Sequence, residues 1–376
     1  MSGLIDFLVN PGLDRTRPYG PELQAIQSVA KAHEAMRAIS AWPGYAPTPL
    51  ISLPTLATAT GVASIHIKHE GHRFELKSFK ALGGAYAVER LAHMSADPAR
   101  LTFTCATDGN HGRSVAWGAR RVGAKSVIYV HETVSEGRAA AIASFGAEVR
   151  REGRTYDDAV RAADAAARQN GWLLVSDTSY PGYVDIPRDV MQGYSVIPLE
   201  IEAQGLMPTH VIVPGGVGGL AASVLAYRWE RFGAARPCML VVEPERAACL
   251  LASARAGRAT AIGGDLDTIM AGLSCGEPSL IAWDILGPGA DAFAAITDDA
   301  AADAMRTFAN TGLAIGESGA ASLAGLLALG DDERAALGMD ASSHVLIYGT
   351  EGATDPDVYR QIVGRDATDV EPIARG

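Results

Sequence analysis

The chain has 376 residues, of which 48% are hydrophobic and 20% charged, with 41 glycines, 19 prolines and 4 cysteines. This length and composition are typical of a globular protein with room for two domains of roughly 100 to 200 residues each. The balance of 32 Lys and Arg against 43 Asp and Glu gives a formal charge of -11, which disfavours nucleic acid and anionic membrane surfaces as partners.

The amino terminus lacks the layout of a secretory signal. Asp6 comes early, no basic stretch opens the chain, and no long apolar core follows. The stretch most easily mistaken for a membrane span, residues 211–227, holds Pro214 and four glycines near its start, so a glycine loop between a strand and a helix explains it better. We therefore expect a cytoplasmic protein with no membrane segment.

The four cysteines give no CxxC or zinc-ligand spacing. A reducing compartment would keep them as thiols, although a bridge between Cys249 and Cys275 stays open. His111 has no second His or Cys at ligand spacing, and we expect it to make a structural hydrogen bond. The sequence therefore predicts no metal site.

Apolar runs alternate with alanine-rich helical stretches along most of the chain, which is typical of parallel strands joined by crossover helices. The predicted fold class is α/β, with doubly wound open sheets. The first predicted block consists of strand 101–106, helix 113–122, strand 126–130, helix 135–145, strand 147–151, helix 157–169 and strand 172–176. These βα units form one small domain.

A second block of elements follows. It consists of strand 210–213, a helix ending near residue 231, strand 239–242, helices 298–311 and 318–329, and strand 344–348. The segment before residue 80, with strand 66–70, is expected to pair with this block. The sequence thus predicts a larger, discontinuous, cofactor-binding domain (1–80 plus 197–376), a smaller α/β domain (81–196), and a ligand site in the cleft between them.

Lys80 lies among apolar and small residues where the chain passes into a helix. A poorly solvated lysine has a lowered pKa, which favours the neutral amine needed to form an imine. Lys77 is the rival for this role, and either lysine taken alone is more simply a solvated surface residue.

The sequence PGGVGG at residues 214–219 supplies backbone N–H groups at the start of a helix, an arrangement suited to a phosphate. It lacks the ending of a nucleotide P-loop and the spacing of a dinucleotide motif. Glycines that only permit a tight turn are the structural alternative.

TDGNHG at residues 107–112 follows a predicted strand and opens a helix, where ligands of open α/β sheets bind. Asp108 could exchange a proton, and Asn110 could donate a hydrogen bond to an oxyanion or a phenolate. Helix capping is the alternative for this cluster.

Together these features resemble the fold-type-II enzymes that use pyridoxal phosphate. Six segments, running in order from residue 73 to residue 356, are similar to the motif set of diaminopropionate ammonia-lyases: RFELKSFKALGGAYA, TDGNHGRSVAWGARRVGA, SDTSYPGYVDIPRDVMQGY, MAGLSCGEPS, IGESGAASLAG and YGTEGATDP. The resemblance implies pyridoxal 5'-phosphate as cofactor, a small amino acid as substrate, and a homodimer.

The resemblance also implies roles for individual residues. Lys80 matches the Schiff-base lysine, and Asp108 the base on the opposite face of the cofactor. Asp177 matches a carboxylate near the substrate amine. The residues expected to bind the cofactor besides Lys80 are Asn110 at the ring hydroxyl, the loop Gly215, Gly216, Val217, Gly218 and Gly219 at the phosphate, and Thr350 near the pyridine nitrogen. A neutral hydroxyl there would favour elimination over transamination.

Two positions depart from the family pattern. Lys77 stands where relatives often carry a neutral polar residue, which would add charge near the substrate carboxylate. Gly349 stands where relatives often have Ser, which leaves the contact to the pyridine nitrogen to Thr350.

The resemblance implies α,β-elimination of 2,3-diaminopropionate to pyruvate and two ammonia molecules. Lys80 and Asp108 would serve as bases for opposite enantiomers. Alternatives are a dehydratase of serine, threonine or a hydroxyaspartate, which the charge of Lys77 favours, a non-catalytic pyridoxal-phosphate-binding protein, and a Rossmann-type nucleotide binder. The tail after Gly364 is expected to be loosely ordered.

Overall fold

The computed structural model describes residues 3–371. Within this range the strands form two sheets, and the strands of the smaller sheet lie between two groups of strands of the larger one along the chain. The strands of this part of the chain, in order, are β1 (Leu4–Val9), β2 (Leu50–Ser52), β3 (Ser64–His69), β4 (Thr102–Ala106), β5 (Lys125–Val130), β6 (Glu148–Arg151), β7 (Leu173–Leu174), β8 (His210–Pro214), β9 (Cys238–Pro244), β10 (Ala292–Ile296) and β11 (His344–Gly349).

Helices connect nearly all of these strands. They are α1 (Pro21–Gln24), α2 (Val29–Ser40), α3 (Pro54–Thr60), α4 (Lys80–His93), α5 (Asn110–Val122), α6 (Glu136–Ala143), α7 (Tyr156–Asn170), α8 (Asp185–Tyr194), α9 (Val196–Ala203), α10 (Gly219–Phe232), α11 (Cys249–Ala256), α12 (Leu280–Gly289), α13 (Asp298–Asn310), α14 (Glu317–Ala328), α15 (Asp331–Ala336), α16 (Pro356–Val363) and α17 (Ala367–Val370). None of the helices between residues 3 and 371 combines the length and apolar character that a membrane crossing requires.

The smaller sheet has the order β6-β5-β4-β7, and all of its pairs are parallel. Its side chains alternate between two cores, as the period of a strand requires. Phe103 and Ile128 face α4 and α5, whereas Val127 and Tyr129 face α7. The four strands predicted for residues 101–176 are all present, and the helix predicted from residue 113 begins three residues earlier.

The larger sheet has the order β1-β10-β9-β8-β11-β3-β2. Its five central strands are parallel, and an antiparallel strand closes each edge. Alternate residues of β8 face α10 and α12 on one side and α13 and α14 on the other, so this sheet is covered on both faces. The prediction that the segment before residue 80 pairs with the second block is confirmed, because β3 lies beside β11.

Several elements of the larger sheet were not predicted from the sequence. Strand β1 pairs with β10 near residue 296, with a register shift between Leu4 and Asp6. Strands β2 and β10 and helices α8, α9, α11 and α12 were also missed. All strands of the smaller sheet fall within 81–196 and all those of the larger sheet outside it. The domain boundaries themselves stay a prediction, and residues 1, 2 and 372–376 of the larger domain lie outside the described residues.

Candidate active site

One pocket is lined by loops that follow strands of both sheets. The strands β4, β7, β8 and β11 all end at it, as expected for ligand sites of open parallel sheets. The predicted site residues that line the pocket are Lys80, Asp108, Asn110, Asp177, Gly215, Gly216, Val217, Gly219 and Thr350. Gly218 lies behind the wall, where a Cβ atom would contact the side chains of Leu286 and Ala282.

Lys80 is the first residue of α4, and its amine points at a carboxylate across the pocket. The backbone N–H of Phe79 donates to the carbonyl of Thr350 at 3.1 Å, which holds the start of α4 against the end of β11. The Lys80 Nζ forms an ion pair with Asp177 Oδ2. The structure therefore brings an amine and a carboxylate together from distant parts of the chain.

The predicted lowering of the Lys80 pKa is wrong for the free chain. Burial lowers the pKa of Lys80, but the negative charge of Asp177 opposes this effect and outweighs it, so the pKa is raised above its ordinary value. Burial likewise raises the pKa of Asp177, yet Lys80 holds it below the usual carboxyl range. The pair is thus ionised until a ligand separates it.

Lys77 does not line this pocket. Its backbone is left-handed, with φ of 54°, and its side chain is exposed. Its carbonyl accepts the N–H of Gly352 at 3.0 Å. The expectation that Lys77 adds charge beside the substrate therefore has no support in the geometry.

The glycine loop between β8 and α10 has the conformation that a bound anion requires. Gly216 and Gly218 have φ of 66° and 95°, which an L side chain rarely adopts. Gly215 donates its N–H to the carbonyl of Val242 at 2.8 Å. Within residues 3–371 the N–H groups of Gly216, Val217 and Gly218 have no acceptor. These N–H groups and the first turn of α10 have the arrangement that suits an anion such as a phosphate.

The turn after β4 places Asp108 and Asn110 in the pocket, as predicted. Capping by Asp108 does not explain the motif, because the N-cap residue of α5 is Gly109 and no side chain caps the helix. Thr107 organises the turn instead, since its hydroxyl accepts the N–H groups of Gly109 at 2.9 Å and Gly112 at 3.0 Å. Asp108 is thus free to serve another purpose.

His111 makes the structural hydrogen bond that was predicted. Its Nε2 is 2.7 Å from the carbonyl of Val175, and its Nδ1 lies 3.9 Å from Asp177 Oδ2. Burial lowers the pKa of this imidazole. All four cysteines are free, so the bridge left open between Cys249 and Cys275 is not formed.

Thr350, and not Gly349, faces the pocket. A Cβ atom on Gly349 would lie 2.7 Å from Ile67 Cδ1, so a serine at this position would require the Ile67 side chain to shift. Thr350 follows directly and is 3% exposed.

Two pocket contacts were missed by sequence reasoning. Asn110 Nδ2 donates to Glu351 Oε2, and Glu351 Oε1 accepts the N–H of Ser318 at 3.0 Å. Asp108 Oδ1 is bonded to His131 Nε2 at 2.7 Å. Glu351 lies inside the quoted motif YGTEGATDP, and His131 directly follows a predicted strand, so position alone could have indicated both.

A group of three side chains outside the pocket has the spacing of a metal site: His69, His72 and Glu371. The Nδ1 of His69 accepts the N–H of Gly71 at 3.2 Å, whereas the second nitrogen of a ligating imidazole normally donates a hydrogen bond. The contacts therefore describe an ionic clasp better than a metal centre.

The residues present in the pocket fit pyridoxal phosphate. An amine lines the cavity, the N–H groups at the start of α10 suit a phosphate, and the hydroxyl of Thr350 and the amide of Asn110 line the same cavity.

Comparisons with known proteins point to the same cofactor. The family model described as pyridoxal-phosphate dependent enzyme matches residues 41–348. Diaminopropionate ammonia-lyase of Salmonella typhimurium is 40% identical over 374 residues, which cover 89% of this chain and 93% of that protein. The enzyme of the same name from Escherichia coli K12 is 39% identical, covering 88% and 90% of the two chains.

Solved structures are also similar. The crystal structure of the Escherichia coli diaminopropionate ammonia lyase in complex with an aminoacrylate-PLP azomethine reaction intermediate has a TM-score of 0.88 at 36% identity, covering 96% of this chain and 97% of that chain. A threonine deaminase from Solanum lycopersicum, with a TM-score of 0.74 at 21% identity, covers 96% and 93% and shares the fold.

Proposed function

We propose, because the chain belongs to the diaminopropionate ammonia-lyase family of pyridoxal-phosphate-dependent enzymes, that it converts 2,3-diaminopropionate to pyruvate and two molecules of ammonia. The observation that carries the proposal is the pocket itself, which is lined both by an ion-paired lysine and by a glycine loop whose N–H groups suit a phosphate. A pyridoxal-phosphate lyase needs both features in one cavity.

The pocket residues divide the binding of the cofactor among them. Bound pyridoxal phosphate draws electrons from the Cα atom of an attached amino acid and so makes its proton acidic. In the proposal Lys80 carries the cofactor, Asn110 donates to its ring hydroxyl, and the loop from Gly215 to Gly219 binds its phosphate. The Thr350 hydroxyl, which carries no charge, leaves the ring nitrogen unprotonated and thereby favours elimination.

Two groups are positioned to take the Cα proton. Lys80 and Asp108 reach the pocket from different elements, α4 and the turn after β4. We propose that they act on opposite faces of the substrate, so that each serves one enantiomer. Asp177 is proposed to receive the substrate amine once that amine has displaced Lys80.

The two-base assignment predicts an enantiomer-specific variant. Asp108→Asn keeps the shape of the side chain but loses the base, so turnover of one enantiomer should fall about 100-fold or more while the other changes little. Steady-state kinetics with D- and L-2,3-diaminopropionate measure the ratio. Equal losses for both would refute the assignment.

The reaction is tested by counting its products. Ammonia and keto acid are measured from each enantiomer of 2,3-diaminopropionate, with serine, threonine and hydroxyaspartate run in parallel. The proposal predicts two ammonia molecules per pyruvate. Turnover of the hydroxy amino acids alone, at one ammonia per keto acid, would establish the dehydratase alternative instead.

The dehydratase alternative depends on the charge of Lys77 near the substrate. The Lys77 side chain, however, is exposed and does not line the pocket. A non-catalytic binding protein would be expected to lack a base, yet Asp108 and Asp177 both line the pocket. No contact among the residues that line the pocket favours the dehydratase or the non-catalytic binding protein.

The lysine assignment has a spectroscopic test. Lys80→Ala should remove the visible absorption of the purified holoenzyme and its bleaching by borohydride, whereas Lys77→Ala should keep both, because only Lys80 faces the cavity. Loss of the absorption in Lys77→Ala, with Lys80→Ala still coloured, would reverse the assignment.

We further propose that the enzyme works in the cytoplasm as a homodimer, as the resemblance implies. Light scattering coupled to size-exclusion chromatography measures the assembly: about twice the chain mass of 39.2 kDa supports the dimer, and the single mass contradicts it.

A further inference from the structure

Asp108 and His131 meet because their strands are neighbours. β4 and β5 run parallel, with Ala106 opposite Tyr129, and the N–H of Thr107 continues the pairing by donating to the Tyr129 carbonyl at 3.0 Å. Asp108 follows the end of β4 by two residues, and His131 follows β5 directly. The Nε2 of His131 and the Oδ1 of Asp108 are 2.7 Å apart.

The second nitrogen of the His131 ring is also bonded. Thr133 Oγ1 lies 2.9 Å from Nδ1. A neutral imidazole has one donor and one acceptor nitrogen, so a Thr133 hydroxyl that donates to Nδ1 leaves the proton on Nε2, directed at Asp108. The chain of bonds therefore runs from the exposed Thr133 hydroxyl, through the imidazole, to the carboxylate.

This contact orients Asp108. Within residues 3–371 no other side chain or backbone group bonds to its carboxylate, and its Oδ2 atom makes no hydrogen bond. The backbone beside it is permissive, since Gly109 has φ of 154°. His131 is thus what holds one carboxylate oxygen and leaves the other available to the pocket.

We propose that His131 is the positioning residue of Asp108 in the elimination. The inference rests on the proposed function. His131 anchors Oδ1 through the hydrogen bond between its Nε2 and that oxygen. Oδ2 then takes the proton from one face of the substrate: the Cα–H bond breaks, its electron pair stays with carbon, and an O–H bond forms on Asp108.

Between residues 3 and 371, the other charged groups near His131 do not contact its imidazole ring. The guanidinium of Arg151 lies 3.4 Å from the His131 carbonyl oxygen and 2.6 Å from Glu136, and Glu132 follows in the chain. Among the described residues, Asp108 is the charged side chain that contacts the ring.

The test compares two variants on both enantiomers. His131→Leu removes the donor, and His131→Gln keeps an N–H group that can reach the carboxylate. We expect His131→Leu to lower kcat about 10- to 100-fold for the enantiomer that Asp108→Asn abolishes, with little effect on the other. His131→Gln should recover part of the loss, and cofactor absorption and thermal unfolding should match the wild type.

Two readouts separate positioning from general damage. For the affected enantiomer alone, His131→Leu should lower kcat with little change in KM, because the groups that bind the substrate are unchanged. In the apoenzyme, with ¹⁵N-labelled histidine, the downfield Nε2–H proton resonance should shift upfield in Asp108→Asn. Thr133→Val keeps the imidazole and should therefore cause smaller changes of the same kind, both in kcat and in the Nε2–H resonance.

The outcomes distinguish this inference from the function on which it rests. A wild-type enzyme that releases no ammonia from either enantiomer overturns the proposed function and the inference together. A wild-type enzyme that is active, with His131→Leu slowing both enantiomers equally or neither, overturns the role of His131 alone.

Discussion

At Lys80 the charge of a neighbouring side chain outweighs the effect of burial. The sequence shows apolar residues around the lysine and so predicts a lowered pKa. It does not show Asp177, which approaches from 97 positions further along the chain and raises that pKa. The residues next to a lysine in the sequence can indicate that it is buried. The direction of its pKa shift, however, also depends on charged groups that only the fold brings close to it.

This balance predicts the behaviour of Asp177→Asn. Without the carboxylate, burial dominates and the Lys80 pKa falls, so the neutral amine that attaches the cofactor is present at lower pH. The pH of half-maximal attachment rate, followed by absorption when pyridoxal phosphate is added to apoenzyme, should decrease. Asp164→Asn, which changes a surface ion pair with Arg168, should leave it unchanged. An unchanged pH in Asp177→Asn would contradict the argument.

The sequence predicted which residues line the candidate site more fully than it predicted the contacts between them. Motif position identified Lys80 and Asp108, because each follows or opens a predicted element, whereas Thr350 came from the resemblance to the family. The partners His131 and Glu351 were missed, since each acts through a contact with a residue 23 or 241 positions away. Such pairs depend on strand order, which spacing along the chain does not specify.

At the scale of the element, the loop between β8 and α10 has left-handed glycines at the site proposed for the cofactor phosphate. Gly216 has φ of 66°, and Gly257, which ends α11, has φ of 67° with open space around it. An alanine at either position meets the same backbone penalty of about 1–2 kcal/mol. Only Gly216 lies in the pocket, so the two positions form a matched pair.

Gly216→Ala and Gly257→Ala should therefore lower the free energy of unfolding of the apoenzyme by similar amounts, about 1 kcal/mol. Only Gly216→Ala should also weaken the binding of pyridoxal phosphate, because its N–H direction changes, while the affinity for pyridoxal without phosphate stays similar. Urea denaturation and equilibrium titration measure these quantities. Equal cofactor affinity in the two variants would remove the loop from the phosphate site.

Residues 365–371 of the segment after Gly364 are ordered, contrary to expectation, whereas residues 372–376 of that segment lie outside the described residues. Helix α17 ends at Val370, and Glu371 then bonds to His72 at 2.7 Å and His69 at 3.1 Å and accepts the N–H of Ala314 at 2.8 Å. Sequence reasoning could not find this clasp, because the histidines lie about 300 positions before their partner.

The clasp predicts a pH-dependent stability. The hydrogen bond to Glu371 raises the pKa of His72 above 6.5, so its contribution is full below that pH and disappears as pH rises through the raised value. Burial opposes the effect at Glu371, but the histidines lower its pKa below 4.5, so its contribution needs pH above 4.5. His72→Ala should thus reduce unfolding free energy more at pH 5.5 than at pH 9, by about 0.5 kcal/mol because His72 is half-exposed. A pH-independent difference would contradict the clasp.

For the whole molecule, the α/β class and the interruption of one sheet by the other followed from the order of apolar runs. The edge strands β1 and β2 and the central strand β10 did not. β1 pairs antiparallel with β10, and β2 pairs antiparallel with β3; both lie at an outer edge of the sheet and are only partly buried. Helices α9 and α12 were missed because both are short and lack a polar face along much of their length.

A buried ionic network joins the segment before Lys80 to helix α9. Glu200 accepts from Arg73 at 2.7 Å and lies 2.7 Å from Lys68 Nζ, while Arg73 also pairs with Glu70 at 2.8 Å. All four side chains are at most 1% exposed. Two positive and two negative charges therefore balance inside the protein, next to the turns that lead into α4.

Removal of one carboxylate from this network should destabilise the whole chain. Glu200→Gln leaves a buried excess of one positive charge, and we expect the free energy of unfolding to fall by about 3–5 kcal/mol. Glu202→Gln is the matched control. Glu202 lies two residues after Glu200 on α9 and pairs with the half-exposed Arg231 at 3.1 Å. It should cost about 1 kcal/mol or less. Urea denaturation of the two apoenzymes gives the comparison, and losses of similar size would mean that neighbouring groups or water compensate the charge of Arg73 and Lys68.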